Sequence, residues 1–128
     1  MDALTIHEAA ETTGWSPRML RYIERIGLIE PQRSGSGYRL YGAAELQRLR
    51  TLKELLTARE LGLGDIGFAL RLRRETDLRH AVEAWFEAKP ERPQDVPQAD
   101  WLSFEQEKHS KLLEAVRARQ TPTTTETA

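Results

Sequence analysis

Two capped helices that meet at a glycine, a short glycine-punctuated hairpin and further stretches of helical periodicity predict a mainly α fold. It is a winged helix-turn-helix domain with a small two-stranded wing, followed by C-terminal helices suited to dimerisation. Thr5-Ile6-His7-Glu8 has the spacing of a capping box, in which hydroxyl and carboxylate satisfy each other's backbone N–H groups. A helix from Ile6 to about Thr13 follows, ended by Gly14 in the left-handed region. Ser16-Pro17 then supplies a capping hydroxyl and a proline at the first helical position, where its missing donor costs nothing. The second helix runs to about Ile26 and closes at Gly27. Ile6, Ala9 and Ala10 on the first helix face Met19, Leu20 and Ile23 on the second, with Trp15 at the corner.

From Leu28 to Tyr41, Gly35 and Gly37 separate short apolar and aromatic segments, which reads as the wing. A helix from Ala44 to about Thr57 buries Leu46, Leu49, the Lys53 stem and Leu56. After a break at Glu60-Leu61-Gly62, a helix over Leu63–Glu75 places Leu63, Ile66 and Leu70 on one stripe and ends in Arg71, Arg73 and Arg74. Thr76–Lys89 carries a stripe of Leu78, Val82, Trp85 and Phe86. Pro90, Pro93 and Pro97 make 90–98 a stiff connector. Ser103-Phe104-Glu105-Gln106 has capping-box spacing and begins a last helix to about Arg119, and the Thr-rich residues 121–128 read as a disordered tail. The expected division is therefore a winged domain over 1–75 and a helical dimerisation or effector region over 76–120.

With 128 residues and 39% apolar composition, the chain suits one small domain with extensions. The absence of cysteine excludes disulfides, thiolate metal sites and thiol switches, and fits a cytoplasmic location. No apolar run approaches the ~20 residues of a membrane span. The formal charge of −1 hides a gradient: residues 16–59 carry +5 and residues 76–128 carry −3. A basic N-terminal half beside an acidic C-terminal third fits one part meeting nucleic acid and another doing something else.

Residues 4–70 resemble the DNA-binding domain of the MerR family of bacterial transcription regulators. The resemblance rests on the run from Gly14-Trp15-Ser16-Pro17-Arg18 through Leu20-Arg21-Tyr22, Glu24, Gly27-Leu28 and Pro31, then Arg33 and Gly37-Tyr38-Arg39-Leu40-Tyr41. The chain departs from the family pattern at Ile23, where a second tyrosine is common, at Glu60 in place of Gly, and at Gly42 and Gly62 in place of polar caps. The resemblance implies a homodimer on a pseudo-palindromic promoter site that bends and untwists DNA, with RNA polymerase as a further partner.

The expected DNA-binding residues are Ser16, Pro17, Arg18, Arg21, Tyr22, Tyr38, Arg39, Tyr41 and Arg59. A helix opening with Ser16, Arg18, Arg21 and Tyr22 suits the major groove, where arginine pairs with guanine O6/N7 and the helix N-terminus holds phosphate. Arg18 is the first choice as base reader. Arg21 has the alternative of an ion pair with Glu24, and Tyr22 that of packing in the helix–wing corner. By resemblance, Tyr38 and Arg39 touch the DNA backbone, Tyr41 serves either there or in the core, and Arg59 lies at a second wing or is a solvated charge.

By resemblance, dimerisation falls to a C-terminal coiled coil, here Leu102, His109, Leu112, Leu113 and Val116, although the stripe 78–86 is an alternative. Trp85, Phe86, Trp101 and Phe104 flank the proline connector and could line an effector pocket, with core or interface packing the favoured alternative. His7, His80 and His109 lack ligand spacing, so neither a metal nor another cofactor is expected. No nucleophile–base pair or phosphate loop suggests an enzyme. The competing reading is an architectural, excisionase-like DNA-bending factor.

Overall fold

A computed structural model describes residues 3–59 and 65–120 of the protein. The order is α1 (Ile6–Thr13), α2 (Pro17–Arg25), β1 (Gln32–Arg33), β2 (Arg39–Leu40), α3 (Ala43–Ala58), α4 (Asp65–Arg74), α5 (Thr76–Glu87), a 3₁₀ turn (Gln98–Asp100) and α6 (Trp101–Gln120). The expected break at Glu60-Leu61-Gly62, the side chains of Leu63 and Ile66, and the tail over 121–128 lie outside the described residues.

The caps that start α1 and α2 form as their spacing dictates. Thr5 N–H donates to Glu8 Oε1 at 2.9 Å while Glu8 N–H donates to Thr5 Oγ1 at 3.2 Å, and Met19 N–H donates to Ser16 Oγ at 3.0 Å. Gly14 closes α1 at φ 81°, a conformation costly for any residue with a Cβ. At the start of α3 no cap side chain is available. Instead the Glu45 carboxylate accepts from the Gly42 N–H at 2.8 Å, one half of a capping box. The wing pairs Gln32 with Leu40 and Arg33 with Arg39, antiparallel, and its far end is fixed by an antiparallel bridge between Leu4 and Tyr41.

One core runs through the molecule. Leu4, Ala9, Trp15, Met19, Leu20, Ile23 and Ile29 pack on Leu46, Leu49, Leu52 and Leu56 of α3, and Phe68, Leu78, Val82 and Trp85 continue the same cluster. Two expectations need correction. Among the described side chains of α4, Phe68 is buried and Leu72 packs against the core, while Leu70 is 42% exposed. The stripe of α5 holds for Leu78, Val82 and Trp85, but Phe86 is 49% exposed, because the 100° step from Trp85 carries it off the buried face.

The proline-containing segment after α5 is tied to α3. Gln47 clasps Glu91 by two bonds of 2.7 Å, its amide donating to the Glu91 carbonyl and its carbonyl accepting from the Glu91 N–H. Arg48 donates to the carbonyls of Phe86 and Ala88, and Val96 is buried. The chain then turns back, and α6 packs chiefly along α3 and secondarily on α1. Helix α6 begins two residues before the expected Ser103 cap, because the 3₁₀ turn leads directly into it and leaves Ser103 inside the first turn.

Candidate nucleic-acid interface

Helix α2 divides cleanly into two faces. Met19, Leu20 and Ile23 are buried, while Arg18, Arg21 and Arg25 are exposed and Tyr22 is half-buried between them. Positions 18, 21, 22 and 25 follow the i, i+3, i+4, i+7 spacing of one helical side. Hence the packing that fixes α2 also determines which side faces outward. Ser16 and Pro17 stand at its N-terminus, where the helix dipole favours an anion. A basic face at a capped N-terminus can hold phosphate and present guanidinium groups to base edges.

Both alternatives raised for α2 concern contacts within the chain. Glu24 is engaged by Arg33 and Arg39 of the wing, so Arg21 is not its partner. Tyr22 packs edge-on against Phe68 of α4 at 6.4 Å between ring centroids, with the Arg25 guanidinium 5.3 Å from its own ring. Packing therefore claims the Tyr22 ring, but against α4 and not in the helix–wing corner. Arg25 was not among the expected contacts. The signal for it was present, since it lies seven residues after Arg18 on the same face.

In the wing, Ser34 Oγ accepts from the Ser36 and Tyr38 N–H groups, and Gly37 takes φ 88° to close the turn. Tyr38 extends into solvent with 71% of its surface exposed, and Arg39 is partly exposed beside Glu24. Tyr41, expected either at the DNA backbone or in the core, lies in the core. Only 1% of it is exposed, and burial pushes its phenol up to about 12. Arg59 is exposed at the end of α3, where its guanidinium donates to the Leu55 carbonyl at 3.4 Å. The second wing expected to follow it lies outside the described residues.

The four C-terminal aromatics do not converge. Trp85 Nε1 donates to Thr51 Oγ1 at 2.9 Å and to the Arg48 carbonyl at 3.0 Å, whereas Trp101 Nε1 donates to Glu105 at 3.1 Å and Phe104 lies under Lys108. An open cavity of about 320 Å³ is lined by Phe86 together with Gly27, Leu28, Ile29, Glu30, Glu45 and Arg48, so just one of the four reaches it.

Beneath α6 lies a polar seam. Glu105 is buried, accepts from Arg50 Nε at 3.0 Å and is reached by Gln47 at 3.3 Å. His109 is buried one turn on, with Nε2 2.7 Å from the Leu46 carbonyl; that oxygen only accepts, so Nε2 carries the proton. Burial lowers the His109 imidazole to about 4 and the Lys53 ammonium to about 8. Lys53 sits 4.4 Å from the centroid of the Trp15 ring, with no hydrogen-bond acceptor for its Nζ among the described residues. Leu113 of α6 and the Lys53 Nζ both lie close over Gly14. Among the described residues there is no cluster of three or more His, Asp or Glu that could hold a metal ion, and no helix long and apolar enough to cross a membrane.

Comparison with known proteins places the N-terminal half of the chain. Residues 4–71 match the family model described as the MerR HTH family regulatory protein. The chain is 44% identical over 61 residues to the HTH-type transcriptional regulator HmrR of Rhizobium leguminosarum bv. viciae, a match covering 48% of this chain and 43% of the relative. It is 40% identical over 72 residues to an uncharacterized HTH-type transcriptional regulator of Pseudomonas aeruginosa, covering 54% of this chain and 52% of that one. A mercuric resistance operon regulatory protein of Bacillus cereus is 41% identical over 58 residues, 44% of this chain and 42% of its own length. The chain thus spans about half or less of the curated relatives it matches, and these relatives are named as regulators, not enzymes. No solved structure gives a significant match.

Proposed function

The chain belongs to the MerR family of helix-turn-helix regulatory proteins, and from that premise we propose that it is a transcriptional regulator that reads promoter DNA sequence-specifically as a homodimer. The observation that carries this reading is the two-faced α2: its apolar side is locked into the core, and its basic side stands beside an exposed wing. Arg18 and Arg21 enter the major groove, Ser16 and the α2 N-terminus hold a phosphate, and Tyr38 and Arg39 meet the flanking backbone.

A single domain with so few phosphate contacts binds weakly, whereas a dimer gains a second half-site at high effective concentration. For the dimer contact, α6 offers Leu112 and Val116, both half-exposed; Leu102, His109 and Leu113 are used within the chain. Two half-sites held at fixed separation would bend and untwist the intervening promoter, in which RNA polymerase is the eventual partner. Some relatives are named for heavy metals or mercury. This chain has no cysteine to supply thiolate ligands, so its input is read as something other than thiolate–metal chemistry.

Substitution separates the two kinds of DNA contact. Arg18→Ala should relax preference at one base position at a cost of ~1–3 kcal/mol, whereas Arg39→Ala should weaken all sequences alike and reduce the salt slope by about one. Equal binding by both variants and the parent protein, measured by fluorescence anisotropy over a salt series, would refute the groove assignment.

A further inference from the structure

Both charged pairs of the wing converge on one side chain of α2 that the recognition face does not use. One oxygen of Glu24 accepts from Arg33 Nη2 at 2.8 Å, and the other accepts from Arg39 Nε. These two arginines are direct partners in the register of β1 and β2, so a single carboxylate ties both strands to the helix. Arg33 also donates through Nη1 to the Gly37 carbonyl at 3.1 Å, and the same guanidinium therefore reaches from α2 to the hairpin tip. With two paired residues per strand, such a hairpin has little stability of its own. The Leu4–Tyr41 bridge anchors its outer end to the core, and Glu24 holds its recognition-helix side. At 20% side-chain exposure for Glu24 and 26% for Arg39, that half of the clasp is screened less by salt than a fully solvated pair, while Arg33 is 47% exposed.

Building on the nucleic-acid reading above, we propose that Glu24 is a positioning residue for DNA recognition. It fixes the wing relative to the recognition helix, so that the α2 arginines and the Tyr38–Arg39 pair meet the duplex at one set spacing. It also offsets part of the charge of Arg33 and Arg39, which lowers the wing's attraction for phosphate of any sequence while leaving Arg39 its backbone contact. The carboxylate thus lowers non-specific attraction and raises discrimination. A residue that merely stabilised the fold would change both kinds of binding together.

The test compares the full-length protein with Glu24→Gln, which keeps the shape and one acceptor but removes the charge. Each is titrated against an operator duplex selected by the parent protein and against random-sequence duplex over a salt series. The operator complex should weaken about tenfold. Random-sequence binding should stay within about twofold or tighten, and the salt slope should steepen by about one as two cations are released from Glu24. Without DNA, amide exchange across residues 33–39 should quicken in the variant. A parallel loss on both duplexes at unchanged slope, or unchanged operator binding, overturns the proposal while the reading of α2 stands on Arg18→Ala. If the parent protein discriminates no duplex, the reading itself fails and the positioning role with it, whatever the exchange experiment gives.

Discussion

Lys53 and His109 place two ionisable groups where neither can hold its charge cheaply, and each gives a distinct pH signature. For His109, the folded state keeps the ring neutral to about pH 4, while an unfolded imidazole takes up a proton near 6.5. The unfolded state therefore binds more protons between those values, and stability falls as pH drops from 6.5 to 4. The groups around the ring reinforce this: Lys53 and Arg50 on α3 oppose a second positive charge, and Glu105 on α6 offsets it in part. The loss should approach about 3 kcal/mol. Urea unfolding at several pH values would measure it, and His109→Gln should flatten the slope in that window. For Lys53 the sign works at the other end. Its depressed value means that protonation is disfavoured in the fold, so stability rises with pH from about 8 to 10.5. Replacement of Lys53 by Met should stabilise the protein at pH 7 by about 1–3 kcal/mol and abolish that rise, since Trp15 gives the ammonium a cation–π contact but no acceptor. A loss of stability on that replacement would show that the buried charge is compensated. Sequence patterning placed the Lys53 stem on the inner face of its helix, but left its ammonium free to reach solvent. The fold closes that route by setting the Trp15 ring over the ammonium and laying α6 along α3, and local periodicity carries no such information.

At the scale of elements, caps and breakers were the most legible features. Thr5–Glu8, Ser16-Pro17 and Gly14 act through neighbours three or four residues away, so their spacing suffices to define both helix starts and the turn between them. Longer-range choices were less readable. The inward side of α4 depends on Tyr22 and the core beside it, which select Phe68 over Leu70. Ser103 had a capping pattern, but the preceding 3₁₀ turn started the helix first. Gly14 supplies an element-level test, because it bears both the left-handed φ of 81° and the approach of α6. A Cβ added there would lie 2.7 Å from Leu113 Cδ2. Gly14→Ala should cost about 1–3 kcal/mol in unfolding free energy. Combining it with Leu113→Ala should recover the steric share of that cost and leave the backbone share. Strict additivity of the two substitutions would mean that α6 does not touch the α1 turn.

Across the whole molecule, the charge gradient and the motif run were legible in the sequence, but not how closely the acidic C-terminal third is built onto the basic N-terminal half. Glu105 is spent on Arg50, and Gln47 grips the connector at Glu91, so α6 is part of the same core as the helix-turn-helix unit. Removal of residues 101–128 should therefore lower the melting temperature by more than about 10 °C and broaden the transition. A truncated protein that melts as sharply and as high as the parent would instead make α6 a separable appendage. The central claim is that the exposed side of α2 and the wing beside it read a promoter. Its most direct test is selection of bound fragments from genomic DNA of the source organism by the full-length protein, followed by sequencing, with Arg18→Ala run in parallel. The parent protein should enrich a two-fold symmetric sequence concentrated at promoters, and the variant should lose preference at one position in each half-site; enrichment of no sequence, or of the same sequence by both proteins, would contradict it.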